Sequence, residues 1–361
     1  MADTPRFERA SLVTFVERVL RSAGVPADAC PGAATHLVLA DERGVASHGV
    51  ARLPFYVARF RRGLIDPVAP LTVERQTAAT MALDAHNGFG MVQGPRAMGM
   101  VIDRARACGL CVATVRHGNH FGIAGAYTLM AAREGMIGVA MTNASPLVAP
   151  LFGSEARLGT NPISVAVPTG PAADDPPVVL DMSTSTVAWG KVEIARRAGT
   201  ALPLGWALDE AGDPTTDAHA ARWLTPLGGP PETGGHKGYG LGVIVDIMCG
   251  PLAGAAWSAR VSGARGPDRA AGIGHTFMAW RVDAFRDPDE FYADLATFLS
   301  ELRETPVSPA YAGNRVLIPG DPEREAEREA GYRGIPIAAP VVTELRALAA
   351  TGVPFDIVRV A

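Results

Sequence analysis

The chain has 361 residues, which is more than one domain usually contains, so we expect two compact units with ample cores. Its formal net charge is −4, and its 33 Lys and Arg residues are spread along the sequence without forming a basic stripe. This distribution argues against nucleic acid as a partner, because a phosphate backbone requires a concentrated positive surface.

The first part of the chain, to about residue 65, has helical periodicity. FERASLVTFVERVLRSAG, ADACPGAATHLVLADERG and LPFYVARFRRGL predict three helices, the third with Pro54 in its first turn and Gly63 at its end. The N-terminal segment carries charges in every turn, unlike a signal peptide. The longest apolar run, residues 241–257, contains Asp246 and Pro251 and is too short to span a membrane. We therefore expect a cytoplasmic protein without a membrane partner.

Four cysteines are few and scattered for a chain of this length: Cys30, Cys108, Cys111 and Cys249. Such usage is typical of reduced thiols rather than of a disulfide framework or a zinc site. Cys108 and Cys111 form a C-x-x-C pattern, but Cys111 begins the apolar run CVATV. We expect this pair to be buried and structural.

Between residues 73 and 282 the pattern changes to short apolar runs separated by Gly and Pro. ATMALDA, LCVATV, IGVAMTN, ISVAVPT and PVVLDMS predict strands of a mixed sheet, and GPRAMGMVIDRARACG and AGAYTLMAAREG predict helices between them. Helical periodicity returns in DPDEFYADLATFLSELRETP and PVVTELRALAATGVP. We therefore predict an α+β (mixed) fold. An α+β domain, residues 73–289, is inserted into a helical domain built from both chain ends, residues 1–72 and 290–361.

Two segments predict irregular structure instead of helix or strand. Residues 225–240, TPLGGPPETGGHKGYG, are too rich in Gly and Pro for the interior of an element. Residues 258–272, SARVSGARGPDRAAG, have the composition of a mobile surface loop.

A strand, a Gly-x-Gly-x-x-x-Gly turn, a helix and a second strand follow one another in ATMALDAHNGFGMVQGPRAMGMVIDRARACGLCVATVRHG. Arg116 follows the second strand, where an NADP-binding Rossmann unit often places an arginine. The glycine spacing departs from G-x-G-x-x-G, however, and Pro95 opens the helix without the expected third glycine contact. A Rossmann site is therefore one interpretation, and glycines that only form a tight turn are the other.

Ser47, His48 and Arg52 lie together in ASHGVARLPFY, just before the third predicted helix. A guanidinium can hold a carboxylate through two parallel hydrogen bonds, and a histidine one helical turn away can exchange a proton with an atom on the adjacent carbon. The pair therefore suits an α-keto or α-imino acid, and Ser47 can cap the next turn or touch the same ligand. The alternative is an ordinary cap with an ion pair to Asp41 or Glu42.

A second polar cluster, in VRHGNHFGIAGAY, places His117, Asn119 and His120 between a predicted strand and a helix rich in small residues. Side chains at the carboxyl end of a strand commonly point into a ligand crevice, so the cluster favours a pocket over histidines that only fill the core. No carboxylate or cysteine nearby has a spacing that suits a metal, and we predict none. The sequence also has no G-x-S-x-G elbow, which argues against acyl transfer.

Polar, glycine-rich turns in FGSEARLGTNPISVAVP, VVLDMSTSTVAWGK and GGHKGYG form a third group of candidates. Glycine lets the backbone approach a ligand, and hydroxyl and amide side chains can bind it. The polar candidates are Thr160, Asn161, Ser183, Thr184 and Ser185. Either Lys191 or Lys237 can meet a pyrophosphate. Taken singly, each segment is also consistent with a polar turn.

Taken together, these segments resemble the malate/L-lactate/L-sulfolactate dehydrogenase family of NAD(P)-dependent oxidoreductases. The resemblance covers nearly the whole chain and rests on DERGVASHGVARLPFYV, HFGIAGAY, GVAMTNASPLVAPLFGSEARLGTNPISVAVPT, VVLDMSTSTVAWGKVEIARRAG, GGHKGYGLGVIVDIMCGPLAGA and VLIPGDPE. It implies a nicotinamide dinucleotide, NAD or NADP, bound by a non-Rossmann α+β domain at residues 73–289. It also implies that the helical domain serves the substrate and a homodimer contact.

The resemblance implies roles for individual residues. His48 matches the histidine of the SHG motif, Arg52 the arginine that anchors the substrate carboxylate, and His120 the HFG histidine beside the nicotinamide. Either histidine can be the proton donor; we favour His48 and keep His120 as the alternative. The implied cofactor residues are His120, then Asp181, Met182, Ser183 and Ser185 of the DMxxS segment, Lys237 of the HKG motif, and Pro319 and Gly320 of a late loop. Thr160 and Asn161, of the GTNP motif, are implied to shape the pocket.

The reaction implied by the resemblance is hydride transfer between NAD(P)H and a small 2-oxo or 2-hydroxy acid of the malate, lactate or sulfolactate type. Reduction of a cyclic imino acid such as pyrroline- or piperideine-2-carboxylate is the alternative reaction. A metabolite-binding regulatory module is the alternative without catalysis. His117-Gly118 stands where many relatives have Asn-Ser, and Ala144 where they have Ser or Thr. These departures leave the substrate and the choice between NAD and NADP open.

Overall fold

The computed structural model describes residues 4–172, 175–263, 269–349 and 352–360. Within these ranges the chain forms ten α-helices and twelve β-strands. The helices are α1 (Arg9–Ser22), α2 (Cys30–Glu42), α3 (Leu53–Arg61), α4 (Gly90–Cys108), α5 (Gly125–Arg133), α6 (Trp189–Ala198), α7 (Gly235–Cys249), α8 (Pro288–Arg303), α9 (Asp321–Arg333) and α10 (Ala339–Ala349). The strands are β1 (Arg6–Phe7), β2 (Thr72–Gln76), β3 (Thr80–Asp84), β4 (Leu110–Gly118), β5 (Met136–Thr142), β6 (Ile163–Val167), β7 (Val178–Met182), β8 (Ala207–Leu208), β9 (Pro214–Thr215), β10 (Trp223–Leu224), β11 (Ile273–Arg281) and β12 (Ile335–Pro336).

The main sheet of the described chain has seven strands in the order β2-β3-β4-β11-β5-β6-β7. β3 and β4 pair parallel, and all other neighbours pair antiparallel. The sheet is therefore mixed, which confirms the predicted α+β class. The predicted strand–helix–strand unit exists as β3–α4–β4, but Arg116 lies within β4 rather than after it, and Pro95 lies inside α4, which begins at Gly90. A Rossmann sheet would also be mostly parallel.

Helices cover both faces of this sheet. Along β5, Ala140 belongs to the core shared with α4 and α5, whereas Val139 and Met141 pack with Val245 of α7. Alternate side chains of a strand point to opposite faces, so α7 lies on the face away from α4 and α5.

The two ends of the chain pack together in a helical unit. Phe7 in β1 pairs with Ile335 in β12. Buried side chains of the early helices and of α10 share one core, which includes Phe15, Leu37, Tyr56 and Leu345. Burial of these apolar side chains stabilises the helices, because isolated helices of this length are marginal in water. The division into residues 1–72 with 290–361, and 73–289, stays a prediction.

The prediction of irregular structure for residues 225–240 is wrong for the last part of this segment, because α7 begins at Gly235. A Cβ on Gly238 would lie 2.1 Å from the carbonyl oxygen of Leu227, and one on Gly235 would lie 1.8 Å from that of Gly229. The glycines that suggested a loop therefore permit close packing of a helix against a loop.

Two other expectations fail in part or fall partly outside the described chain. Cys111 is buried, but Cys108 at the end of α4 is exposed and its thiol donates to the carbonyl oxygen of Ala78, so the pair is not buried together. Residues 258–260 form a 3₁₀ turn, and residues 264–268 of the predicted loop lie outside the described residues. In the described chain, every helix is too short or too polar to cross a membrane.

Candidate active site

Two consecutive 3₁₀ turns carry the predicted substrate residues. Ala46–His48 form the first and Val50–Arg52 the second, directly before α3. The sequence predicted one helical turn between His48 and Arg52, but Gly49 interrupts it with φ −88° and ψ −149°. The Nε atom of Arg52 donates to the carbonyl oxygen of Ser47 over 2.8 Å. The two terminal nitrogens of Arg52 are therefore the ones that can hold a carboxylate.

Asp41, near the end of α2, holds this pair of turns. Its side chain is buried, and Oδ2 accepts from the backbone N–H of Val50 over 2.7 Å. A Cβ on Gly49 would lie 2.1 Å from Cγ of Asp41, so glycine is required there. Burial raises the pKa of Asp41 to about 7, against the effect of the Val50 hydrogen bond. The alternative ion pair is not formed, because Glu42 instead accepts from Arg9.

His120 lies beside His48. The centres of the two rings are 5.3 Å apart, with an angle of 23° between the planes. Ser47 Oγ is 2.9 Å from Nδ1 of His48, and the hydroxyl of Tyr56 in α3 is 2.7 Å from Nδ1 of His120. The structure therefore brings Ser47, His48, Arg52 and His120 together, and α3 adds Tyr56 to them.

Burial controls the protonation of both histidines. Desolvation lowers the pKa of His48 to about 4, and the positive charge of Arg52 acts in the same direction. Desolvation also lowers the pKa of His120 well below 6.5, with further contributions from His48, Arg52 and His275. Both imidazoles are consequently neutral near pH 7, and each then has one donor and one acceptor nitrogen.

His275 of β11 is a buried neighbour of this cluster. Its ring stacks on Phe121 with centres 4.6 Å apart, and its Nδ1 lies 2.8 Å from Oγ1 of Thr142. Burial lowers the pKa of His275 to about 3. A Cβ on Gly118 would lie 2.5 Å from Nε2 of His275. Gly118, one of the two departures from the family pattern, thus makes room for this histidine.

Asp181, near the end of β7, lies at the N-terminus of α5. Its Oδ2 accepts from the backbone N–H of Gly125 over 2.7 Å. Burial raises the pKa of Asp181 to about 6, although the Gly125 hydrogen bond and Arg43 act against the shift. Met182 follows as the last residue of β7. The predicted DMxxS segment therefore begins where α5 presents its first backbone N–H groups.

Pro319 and Gly320 lie against the start of β7, where Val179 N donates to the carbonyl oxygen of Pro319 over 3.0 Å. Val179 precedes Asp181 by two residues on the same strand. Beside Gly320, a cavity of about 300 Å³ opens between β7, the last turn of α5 and α9. Its charged lining residues are Arg43, Arg133, Arg324, Arg328, Asp175 and Glu327. The excess of arginines suits an anionic group.

The remaining polar candidates lie in two adjacent loops that bind each other. Thr184 N donates to the carbonyl oxygen of Thr160 over 2.9 Å, and its hydroxyl donates to that of Asn161 over 3.1 Å. The hydroxyls of Ser183 and Ser185 are 3.0 Å apart. Much of the hydrogen-bonding capacity of these residues is therefore used within the protein.

Ala144, the second departure, belongs to the same loops. Its backbone N–H donates to Oδ1 of Asn161 over 3.1 Å, and Nδ2 of Asn161 donates to the carbonyl oxygen of Gly242 over 3.0 Å. Asn161 is fully buried with φ 35°. Its side chain therefore fixes the backbone of Ala144 relative to α7.

His117 lies in a separate, partly exposed cluster. Its Nδ1 is 3.0 Å from the carboxylate of Asp84. Asp84, Glu74 and His86 place potential metal-ligand atoms within 4.8 Å of one another. The guanidinium of Arg116, however, donates to both Asp84 and Glu74. Arg116 thus supplies the positive charge that the two carboxylates require.

Two lysines are accessible near the glycine-rich loops. Lys237 is exposed in the first turn of α7, and Leu241 and Ile244 follow it on the same helix face. Lys191 is exposed in α6, with its amino group 5.9 Å from the ring centre of Trp206. Both lysines can therefore meet an anionic ligand, and Lys237 also borders an exposed apolar strip.

Sequence reasoning missed three residues of the site. Tyr56 lies four residues after Arg52, and this helical spacing could have indicated it. Asp41 was considered only as a surface ion-pair partner, although it follows the apolar stretch HLVLA in α2. No local sequence pattern indicates His275, because it reaches the site only through the pairing of β11 with both β4 and β5.

The chain matches known proteins along nearly its whole length. The profile of the family described as malate/L-lactate dehydrogenase matches residues 7–346. The malate dehydrogenase of Pyrococcus abyssi is 40% identical over 348 residues, which are 95% of this chain and 94% of that protein. The solved structure of malate dehydrogenase from Pyrococcus horikoshii has a TM-score of 0.89 and 37% identity, covering 98% of this chain and 97% of that one.

The names of more distant relatives give different substrates and cofactors. A ureidoglycolate dehydrogenase (NAD(+)) of Escherichia coli K12 is 32% identical over 92% of each chain. A (2R)-3-sulfolactate dehydrogenase (NADP(+)) of Chromohalobacter salexigens is 33% identical over 94% of this chain and 97% of that protein. The structure of delta1-piperideine-2-carboxylate reductase from Pseudomonas syringae has a TM-score of 0.81 and 27% identity, covering 96% of this chain and 100% of that one.

Proposed function

Because the chain belongs to the malate/L-lactate dehydrogenase family, we propose that it moves hydride between nicotinamide and a small 2-hydroxy or 2-oxo carboxylic acid of the malate, lactate or sulfolactate type. Its relatives are dehydrogenases of hydroxy acids, so the chain is an oxidoreductase rather than a regulatory module. The observation that carries the proposal is the cluster of Arg52, His48 and His120, in which a guanidinium accompanies two neutral imidazoles.

The residues around Asp181 suit a nicotinamide dinucleotide. Gly125 N occupies Oδ2 of Asp181, so Oδ1 is the oxygen that can accept from a ribose hydroxyl. The N-terminal end of α5 favours an anionic group such as a diphosphate. The exposed amino group of Lys237, in the first turn of α7, is a second candidate for binding that charge. When bound, the nicotinamide supplies or takes up the hydride.

We therefore assign a group of residues to the cofactor: His120, Asp181, Met182, Ser183, Ser185, Lys237, Pro319 and Gly320. Thr160 and Asn161 would shape the adjacent pocket. Names of relatives include both NAD(+) and NADP(+), so both cofactors belong in the test.

Arg52 would hold the substrate carboxylate through its terminal nitrogens. This contact would direct the oxygen on the α-carbon toward His48, and such positioning can supply several kcal/mol of barrier reduction. In the direction of oxidation, neutral His48 would accept the proton of the substrate hydroxyl. Burial is the main cause of the lowered pKa of His48, and the charge of Arg52 is the second. In the direction of reduction, a carboxylate bound to Arg52 would cancel this second contribution and thereby favour the protonated donor. Ser47 would orient the His48 ring through Nδ1.

A cyclic imino acid is the second candidate substrate. The same clamp and proton donor would serve a ring nitrogen in place of a carbonyl oxygen. The structural likeness to delta1-piperideine-2-carboxylate reductase supports including this class.

We also propose a homodimer that uses the exposed face of α7. Leu241, Ile244 and Ile247 recur every three residues on this helix and are 42%, 56% and 46% exposed. A contiguous apolar strip of this kind is typical of an interaction surface. Because Lys237 lies on the same helix face, a second copy seated there would adjoin the proposed cofactor site. The expected cytoplasmic location stays a prediction.

The test is oxidation of NADH and NADPH by purified protein with pyruvate, oxaloacetate, sulfopyruvate, diketogulonate and cyclic imino acids. His48→Ala should lower kcat by roughly 10² to 10⁴, the usual value of general acid–base catalysis, and should leave NADH binding nearly intact. His219→Ala, at an exposed histidine, is the matched control and should retain activity.

Arg52→Lys should mainly raise KM, because a point charge cannot reproduce the two parallel hydrogen bonds of a guanidinium. Arg61→Lys, at an exposed arginine of α3, is its control. Cofactor binding without turnover across the whole panel would refute the proposed reaction. Wild-type turnover by His48→Ala would refute the role of His48 alone.

A further inference from the structure

Two hydrogen-bond donors meet at Nδ1 of His120. The hydroxyl of Tyr56 is 2.7 Å from this nitrogen, and the backbone N–H of Gly122 donates to it over 3.3 Å. A backbone N–H has no acceptor function, so Nδ1 must present its lone pair. Tyr56 must then donate as well. A neutral imidazole whose Nδ1 accepts carries its proton on Nε2.

Tyr56 is held so that it can keep this role. Its side chain is fully buried, and its ring packs edge-on against Phe89 and Phe55 with centres 5.2 and 5.6 Å away. Burial raises the pKa of Tyr56, so the hydroxyl keeps its proton throughout the usual working range. The aromatic contacts fix the ring, and the fixed ring directs the hydroxyl toward His120.

The environment of His120 disfavours a second proton on its ring. The charged and titratable groups that act on it are His48 and Arg52 from the two 3₁₀ turns and His275 from β11, besides Tyr56 from α3. Burial penalises the charge of an imidazolium most, and the positive charge of Arg52 repels it, as His48 and His275 would if they were protonated. A proton on Nδ1 would also displace the donors from Tyr56 and Gly122.

His48 has a different partner at the equivalent atom. Its Nδ1 is 2.9 Å from the hydroxyl of Ser47, which can either donate or accept. The contact therefore tolerates Nδ1 with or without a proton. Two imidazoles stacked 5.3 Å apart are thus chemically distinct: one has a single permitted tautomer, and the other can change its protonation without losing its partner.

We propose that Tyr56 is a positioning residue that holds His120 as a neutral Nε2–H donor, so that His120 stabilises the substrate oxygen by a hydrogen bond while His48 alone exchanges the proton. The inference rests on the proposed function. During reduction, the bound nicotinamide would supply the hydride that adds to the substrate carbon. The carbonyl π electrons would then move to oxygen, and His48 would give that oxygen its proton. His120 keeps its proton throughout.

The test combines nuclear magnetic resonance with kinetics on the full chain. In protein labelled with ¹⁵N-histidine, long-range ¹H–¹⁵N spectra distinguish protonated from unprotonated ring nitrogens, and loss of signals in His120→Asn assigns those of His120. Wild-type His120 should show a protonated Nε2 and an unprotonated Nδ1 at every pH from about 6 to about 9. Tyr56→Phe should give a mixture of tautomers, because the shorter hydrogen bond at Nδ1, 2.7 Å, is lost and only the long 3.3 Å bond from Gly122 remains to favour the Nε2–H form.

The kinetic effect of Tyr56→Phe should be a fall in kcat of about 10-fold with KM for the 2-oxo acid nearly unchanged, which is the scale of one lost hydrogen bond. The phenyl ring retains the packing against Phe89, so a merely structural role would leave the His120 tautomer unchanged. Tyr311→Phe, at an exposed hydroxyl, is the matched control and should alter neither the spectra nor kcat.

The outcomes separate this inference from the proposed function. A protonated Nδ1 on His120 in an active protein would overturn the tautomer assignment and leave the reaction standing. The Nε2–H form in a protein that reduces no substrate of the panel would support the assignment and refute the reaction. Tyr56→Phe with wild-type tautomer and wild-type kcat would overturn the role of Tyr56.

Discussion

Replacing Asp41 with Asn should stabilise the protein increasingly as the pH rises. Asp41 is buried, and one of its oxygens accepts from Val50 N, a bond that the side-chain oxygen of an asparagine can also accept. The substitution therefore removes a buried charge and keeps the acceptor. The two 3₁₀ turns that bear His48 and Arg52 should stay in place.

The size of the effect follows from the protonation of Asp41. Burial raises its pKa from 3.8 to about 7 in the folded protein. A shift of about 3 pKa units corresponds to about 4 kcal/mol. Between about pH 4 and about pH 7 the folded protein holds a proton that the unfolded chain has released, so the free energy of unfolding falls as the pH rises. The stabilisation present below this window is lost above it, whereas an asparagine does not titrate.

The assay is calorimetric melting of Asp41→Asn and wild type at several values from about pH 5 to about pH 8. The difference in Tm should grow with pH and reach the equivalent of about 2 to 3 kcal/mol, because the new amide N–H groups lack the partners they would have in water. Asp213→Asn, at an exposed carboxylate, is the control and should show a difference that does not vary. A constant Tm difference for Asp41→Asn would mean that Asp41 keeps one charge state across this range, and the reasoning would be refuted.

Two further substitutions test the turns and the proposed dimer. Gly49→Ala should lower kcat/KM at least about 10-fold, because its Cβ would lie 2.1 Å from Cγ of Asp41 and must displace the turns. Gly32→Ala in α2 has open space around its Cβ and should keep full activity, so equal activity of the two variants would contradict this explanation. Ile244→Glu should convert a dimer to monomers in sedimentation velocity, because a charge would enter the apolar strip. A dimer that survives this change would exclude the α7 face as its interface.

Local patterns in the chain were sufficient for most elements and for naming the candidate residues of the central cluster. The apolar runs at β3 to β7 and the helical periodicities of α1 to α5 are short-range signals, and the structure has these elements close to their predicted positions, except that α4 begins at Gly90 instead of Gly94. His48, Arg52 and His120 stand in motifs whose residue types already indicate a carboxylate clamp and a proton donor. Helices and strands can be predicted in this way because their periodicity involves residues close together in the sequence, and the residue types of a motif are visible in the sequence itself.

Contacts between distant parts of the chain could not be predicted from these local patterns. The bond between Tyr56 and His120 joins residues 64 positions apart, and that between Gly125 and Asp181 spans 56 positions. The glycines at the start of α7 were assigned to a loop, because only the packed structure reveals the backbone they approach. Packing, burial and strand pairing therefore decide which imidazole nitrogen keeps a proton and which carboxyl group loses its charge.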